Sequence, residues 1–578
     1  MKTFHNHFTF YLSSLLLGSS FLTCDAAEPP LPDAGLLMRE NRLPARPPKP
    51  QVEPVIEKPE TAKPAMLPEN ALRLTVQAFH LKGNTQFSDD ELVPLLATYV
   101  GHEIGFSDLE AAAKIITGYY HQAGFFLASA YIPQQTIKQG QVEITILEGR
   151  LDASHLTHDA VDPISELRIN HAVLQRFLDT YAEDEIITLT SLNKLSLLIN
   201  DLPGIKSKIV LIQGSQAGSS ALKLKVREEP LLKGYAQTDN YGLYATGYYR
   251  METGLSLNDA TGWGDQLNMR VQSTETGHSV SGSADYNVPI NGYGTRLGVN
   301  FSELHYSLGR FFQPLEAAGI ARIVGISVNH PLWLAREGRL MGTAHYEHRW
   351  MQDNLGLYQT HNHRELNVMN FSFAGNYYDQ LLPTGGITQG SLTISAGEVR
   401  FGNQAAFNAD QTSGLNSNGG YHKIAWQLNR SQNISEDFSL FANFQGQVAS
   451  KNLDSSEQIS LGGANAIRAY PVGEGSADEG WMFNGEARYH LPSIPSVPGY
   501  MQLVGFIDTG FARVNANPLA GDLHNSRHLT GYGVGLNLLE AEGFNVHTSV
   551  AWHAPHKYPT SDSNARLPMV YFQLSKSF

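Results

Sequence analysis

Thiols are almost absent: among 578 residues the only cysteine is Cys24. It stands in an N-terminal segment with the marks of a secretion leader, namely Lys2, a mostly apolar stretch over 8–22, and small residues at Ala26 and Ala27. Loss of residues 1–26 leaves a chain without a thiol, which excludes zinc-finger, thioredoxin-like and cysteine-nucleophile chemistry. Phe21 and Thr23 fit lipid attachment at Cys24 poorly. Charge is also sparse, at 17% of residues, and 41 Lys and Arg against 55 Asp and Glu leave −14. No overall basic field draws in nucleic acid, so nucleic acid is not expected as a partner. Hydrophobic residues at 42% exclude a disordered polyelectrolyte. Past the leader no run of about 18 apolar residues occurs, so any membrane crossing falls to a β-barrel. Neither a G-x-x-x-x-G-K-[ST] loop nor an H-E-x-x-H pair is present, so no nucleotide, metal or other cofactor is expected.

What the chain has instead is glycine (53), tyrosine (25) and phenylalanine (26), a balance that favours turns and aromatic strands. Residues 29–68 hold eleven of the 28 prolines and read as an extended linker that spaces rather than packs. Its stretch over 44–68 reaches roughly 75 Å at about 3.1 Å per residue. Just before it, residues 33–42 form one short helical candidate with Asp33 as cap, too short to stand alone and therefore in need of a host surface.

A small α+β unit is expected over 71–150. Leu72, Leu74 and Val76 alternate as a strand, and a Gly83-Asn84 turn follows. Ser88 and Glu91 form a capping box ahead of Leu92, Leu95, Leu96 and Tyr99 at helical spacing. Ser107 with Glu110 reads as a second capping box, for a helix carrying Leu109, Ala112, Ala113 and Ile116 that Gly124 ends. Strands follow over 127–132 and 142–147, the latter alternating Val142, Ile144, Ile146 against Glu143 and Thr145. Residues 151–228 repeat the theme, with a helix bearing Leu192, Leu195, Ile199 and Leu202, the breaker Pro203-Gly204, and Leu222, Leu224 and Val226 alternating with Lys223, Lys225 and Arg227. The similar length and order of the two units suggest a tandem repeat.

From 229 to 578 the texture changes. Segments such as 266–272 alternate polar and apolar residues between clusters of Gly, Asn and Asp, the two-residue signature of barrel strands. The length accommodates roughly 14–18 strands at about 9–11 residues each plus turns. Val570, Phe572, Leu574 and Phe578 share a face, as expected of a closing strand against lipid, and Lys576 on that parity is placed to snorkel. Gly531-Tyr532-Gly533-Val534-Gly535 lacks dinucleotide spacing and reads as barrel backbone. His361 and His363 read as solvated loop residues rather than metal ligands.

Several motifs bear a resemblance. Gly83-Asn84-Thr85, then Gly124 to Ala128, Ile132-Pro133-Gln134-Gln135, Gly140 and Glu148-Gly149 resemble the first POTRA domain of the outer-membrane B components of two-partner secretion, the ShlB/FhaC/HecB family, and Leu202-Pro203-Gly204 resembles the turn of the second. Leu461-Gly462-Gly463-Ala464-Asn465-Ala466-Ile467-Arg468-Ala469-Tyr470, continuing to Gly475 and Gly480, resembles that family's VRG(Y/F) loop, which folds back into the barrel lumen. Ala469 stands where many members have Gly, and Ile467 where many have Val. Phe506-Ile507-Asp508-Thr509-Gly510 resembles the family's F-x-D-x-G strand, whose carboxylate pairs with the loop arginine. The resemblance implies Arg468 and Asp508 as that pair, with no other partner, and residues 33–42 as a helix that plugs the barrel.

The expected architecture is therefore mostly β: a leader (1–26), a plug helix and linker (27–70), two POTRA domains (71–150 and 151–228) and a barrel (229–578) of 16 antiparallel strands by resemblance. The implied function is export of a large unfolded exoprotein from periplasm to cell surface across the outer membrane of a Gram-negative bacterium, without covalent chemistry. The implied partners are that exoprotein at the POTRA domains, outer-membrane lipid, and barrel-assembly machinery for insertion. An insertase of the same superfamily and an outer-membrane barrel enzyme are the alternatives. The cargo stays open among haemolysin, adhesin, haem-binding protein and contact-dependent toxin.

Overall fold

In the computed structural model the described residues are 31–41, 56–57, 73–151, 161–162, 167–182, 186–214, 219–412, 414–492, 494–495, 497, 499–519, 524–540, 543–555, 557–562, 565 and 567–578. The expected leader, Cys24 and most of the linker lie outside them.

The first small domain builds a three-stranded sheet in which Gln141–Leu147 is central, parallel to Ala78–Lys82 and antiparallel to Ser129–Tyr131. Val142, Ile144 and Ile146 point into a core shared with Leu109, Ala112, Ala113 and Ile116 of the helix Phe106–Gln122. The Ser88 box closes as expected, Glu91 accepting from Ser88 N at 2.9 Å. A 3-10 segment, Val93–Tyr99, follows, with Pro94, which has no amide to donate, in its first turn. The second box is displaced. The cap is Gly105, whose N–H donates to Asp108 Oδ2 at 2.9 Å, so the helix begins at Phe106, ahead of Ser107 and Glu110.

The second domain packs two helices, His171–Ala182 and Leu189–Asn200, on the antiparallel pair Ile205–Gln213 and Ser219–Glu228. The first of these helices went unread in the sequence. Ile56–Glu57 from the linker pairs parallel with Ile209 and Val210, so at that point the linker packs as a strand rather than only spacing. The two domains are joined where Leu189 N donates to Gly124 O (3.0 Å) and Ile187 N to Gly149 O (3.2 Å).

Sixteen antiparallel strands, from Leu232–Asp239 to Met569–Ser577, close a barrel by pairing 235–239 with 573–577. Strand length runs from eight residues at the seam to 20 in Thr360–Asp379 on the far wall. Alternation sorts the faces: Met269 and Val271 are exposed outward while Gln272 is buried inward. Among the described residues no helix is long and apolar enough to cross a membrane. Residues 531–535 lie in the strand Ser526–Leu539. His361 and His363 belong to Thr360–Asp379, a strand rather than the expected loop. Lys576 Nζ sits 4.5 Å from the Phe544 ring centre. The second domain abuts the barrel's turns through Asn170 N to Gly262 O (2.7 Å) and an Arg339–Asp201 ion pair (3.2 Å).

Candidate functional site in the barrel lumen

Residues 450–478 connect Phe438–Ala449 to Glu479–His490 on the end of the barrel away from the small domains, and they turn inward instead of outward. Leu461, Ile467, Ala469 and Tyr470 are buried against the inward-facing Met482, Val504, Phe506 and Leu529. Tyr571 OH donates to Tyr470 O at 2.6 Å. Gly462 and Gly463 lie in the loop's hairpin, where Gly462 N donates to Glu474 O (2.9 Å). Close approach explains one barrel glycine: a Cβ on Gly531 would stand 2.4 Å from that of Ala469. The methyl group on the loop thus fills space that the wall leaves empty.

Arg468 is the polar centre of this packing. Its Nε and Nη2 hold both oxygens of Asp508 at 2.9 and 2.7 Å, and its own N–H donates to Asp508 Oδ2 at 3.1 Å. The Asp508 side chain is 0% exposed, and its charge is met by this fork and by Asn484 Nδ2 at 3.0 Å. The arginine is shared, however. Nη1 donates to Glu486 at 2.6 Å, correcting the expectation of a single partner, and Arg488 holds the other oxygen of Glu486 at 2.7 Å. The guanidinium carbon lies 3.5 Å from the centre of the Phe506 ring, a cation–π contact. Gly510 faces Ile467, which a Cβ there would meet at 3.0 Å. Asn484 also donates to Ala466 O (2.7 Å), tying the loop backbone to the wall.

The helix Ala34–Glu40 lies in the same lumen. Asp33 caps it, accepting from Leu36 N at 2.9 Å, and Ala34, Leu37 and Met38 pack against Leu304, Ile323, Met351, Leu366 and Val368. At its end Arg270 donates to Asn41 O at 3.0 and 2.9 Å, and Gln272 to Asn41 Oδ1 at 2.7 Å. Cavities of about 630 and 680 Å³ flank the helix, the first lined by uncharged polar residues such as Ser283, Asn300 and Thr343 beside the charged Arg270, Asp285 and Glu347, the second by Thr393, Gln427 and Asn429 beside Arg250, Arg468 and Glu486. The helix therefore divides the lumen.

In the first small domain Glu148 accepts from Thr85 N (2.6 Å), Gln86 N (2.9 Å) and Tyr120 OH (2.8 Å), and from Thr85 Oγ1. Burial alone would raise its carboxyl, but these donors more than offset burial and hold it below the ordinary value. Burial and Glu148 together push the Tyr120 phenol up. A Cβ on Gly149 would stand 2.4 Å from that of Leu127, and one on Gly83 2.3 Å from Ile146 O. Asn84 Nδ2 donates to Phe87 O at 3.0 Å. Gln135 exchanges two hydrogen bonds of 2.8 Å with the Glu143 backbone, prolonging the pairing beyond Ser129–Tyr131, while Pro133 and Gln134 form the bend that brings it there. The motif residues of this domain thus brace a turn and a sheet.

Sequence reading missed Glu486, Asn484, Arg349 and Arg364. Their signal is parity: Asn484, Glu486 and Arg488 alternate with the outward Phe483, Ala487 and Tyr489, but alternation does not say which inward groups meet. Among the described residues no group of three or more His, Cys, Asp or Glu is placed to hold a metal.

Residues 218–538, more than half of the chain, match the family described as haemolysin secretion/activation protein ShlB/FhaC/HecB, and 74–149 match the ShlB-type POTRA domain. The heme/hemopexin transporter protein HuxB of Haemophilus influenzae strain 86-028NP is 30% identical over 474 residues, 81% of each chain. The outer membrane transporter CdiB of Escherichia coli is 22% identical over 481 residues, covering 80% of this chain and 76% of that one. The solved structure of CdiB from Escherichia coli superposes with a TM-score of 0.68 at 19% identity, over 90% of this chain and 92% of the other.

Proposed function

The chain belongs to the ShlB/FhaC/HecB family of haemolysin secretion/activation proteins, and we propose from its occupied lumen how it performs that family's task. It is an outer-membrane transporter of two-partner secretion and exports an exoprotein. The insertase alternative is less supported, because the relatives that match over most of the chain are transporters. The small domains stand in the periplasm and capture the exoprotein unfolded. An open sheet edge suits an extended segment, since backbone groups supply the affinity and pockets the selectivity. The cargo then passes along a polar lumen whose wall carries hydroxyl and amide groups together with charged side chains such as Arg270, Glu347 and Arg250, so that its backbone is never exposed to lipid. Folding outside supplies the direction, and no bond is made or broken.

The observation that carries this mechanism is the helix Ala34–Glu40, which fills a passage otherwise wide enough to leave two cavities of several hundred Å³ beside it. In this mechanism it leaves during export, Arg468 with Asp508 and Glu486 pins the loop against the wall, and the outward apolar face meets lipid after insertion by the barrel-assembly machinery. The name of the 30% relative favours a haem- or hemopexin-binding cargo. Co-expression with the exoprotein encoded beside this chain tests the proposal. Cargo in the medium only when the transporter is present supports it, and equal cargo without the transporter refutes it.

A further inference from the structure

Arg364 lies where three parts of the molecule meet. It is an inward, buried residue of Thr360–Asp379. Its Nη2 donates to Asp33 at the head of the plug helix (2.7 Å), its Nη1 to Asp353 on the neighbouring strand, and its Nε lies 2.6 Å from Asp454 at the start of the lumen loop. Ser455 of that loop donates to both oxygens of Asp33, at 2.7 and 2.8 Å. A Cβ on Gly35 would stand 2.3 Å from Ser455 Oγ, so helix and loop touch directly. One guanidinium thus serves three carboxylates, each carried by a different element.

We propose that Arg364 is a positioning residue of export, a latch that makes departure of the plug and loosening of the loop a single event. This rests on the reading of the helix as a plug. While Asp33 is seated, the loop start is held by Arg364 and by the acceptor that Asp33 offers Ser455. When the plug leaves, both the Asp33 charge and that acceptor go with it, and the loop keeps fewer anchors. A contact that favours the seated plug when the loop is seated must by linkage favour the seated loop when the plug is seated. The loop has a second anchor that does not involve the plug, Arg349 between Glu347 (2.6 Å) and Glu457, so it loosens without detaching.

Ser460 offers a reporter: it lines the lumen, is half-buried with its Oγ covered, and among the described residues that Oγ has no hydrogen-bond partner, so Ser460→Cys removes none. Past the leader it would be the only thiol. In full-length protein reconstituted in vesicles, ion conductance and the rate of Ser460→Cys labelling by a soluble maleimide are read together. Deleting residues 31–41 should raise conductance and speed labelling about tenfold, as expected for coupling of ordinary strength. Arg364→Gln should speed labelling similarly in the full chain and by less in the deletion, where only its contacts to Asp454 and Asp353 remain to be lost, whereas Arg364→Lys, which lacks the fork, should restore slow labelling in part. Higher conductance on deletion with unchanged labelling would overturn the latch and leave the plug reading standing. A deletion that alters neither would overturn both. If Arg364→Gln fails to assemble, Asp33→Asn serves instead: faster labelling supports the latch, and unchanged labelling overturns it.

Discussion

At the scale of single residues, the lumen site ranks its own members. Asp508 is wholly buried and, among the described residues, meets no cation other than Arg468, whereas Glu486 is shared with Arg488. Asp508→Asn removes the carboxylate that takes the fork and leaves Arg468 with Glu486 alone, and should cost about 1.5–3 kcal/mol of loop anchoring. Glu486→Gln should cost about 1 kcal/mol, since the amide still accepts a bond. In secretion assays the expected order is wild type, Glu486→Gln, Arg468→Lys, then Arg468→Ala and Asp508→Asn, with every variant still heat-modifiable on gels because the barrel ladder does not use the loop. Full secretion by Arg468→Ala would refute a role for the arginine. Glu148 makes a pH-dependent case. Its folded carboxyl lies below the ordinary value of about 4.3, so its stabilisation is present above that pH and fades as pH falls through the folded value. Hydrogen exchange over 73–149 should therefore show protection dropping in acid, and Glu148→Gln should lower protection at pH 7 and flatten its acid dependence. A wild-type profile in Glu148→Gln would show that the clasp contributes nothing.

Elements decide which strand can receive cargo. The strand over 142–147, whose alternation marks one wet face, is the centre of its sheet. Proline there removes ladder bonds on a paired strand, so Ile144→Pro should unfold the domain rather than test recognition. On the Ser129–Tyr131 side the outer edge is already taken: Ala130 N donates to Thr117 Oγ1 (2.9 Å) and the His121 ring meets Ala128 O (2.9 Å). Ala78–Lys82 has no strand on its far side among the described residues. Proline within it should weaken cargo binding, measured by titrating an exoprotein fragment, while circular dichroism stays native. Unchanged affinity in a folded variant would exclude strand addition at this edge. The displaced capping box teaches the same point on a smaller scale. Gly105 with Asp108 and Ser107 with Glu110 both offer a capping carboxylate three residues on, and the strand Glu103–Gly105 ends where only the first can act.

For the molecule as a whole, closure is the weakest ladder. The seam pairs 235–239 with 573–577, the shortest register in the barrel, and is extended by two backbone bonds of 2.9 Å between Gly234 and Phe578 and by Asn240, whose N donates to Phe572 O (3.3 Å) and whose Oδ1 accepts from Phe572 N (2.8 Å). A Cβ on Gly234 would stand 2.6 Å from the Phe578 ring, so Gly234→Leu or removal of Phe578 should lower the temperature at which the folded gel form is lost, while a similar change on the long Thr360–Asp379 wall should not. Equal melting would mean that the seam does not limit stability. Much of this architecture was legible beforehand because its causes are local. Two-residue alternation and the lack of long apolar runs pointed to a barrel, the turn glycines and caps marked the small domains, and the resemblance of the loop and strand motifs to those of the family pointed to Arg468 and Asp508. The rest depends on which distant residues face one another. The Arg364 cluster joins positions 33, 353, 364 and 454, Glu486 meets Arg468 only because two inward parities converge, and the linker strand at 56–57 finds Ile209 in another domain. Periodicity states which way a side chain points. Only closure of the barrel, by setting register and bringing strands of opposite walls around one lumen, decides what it meets there.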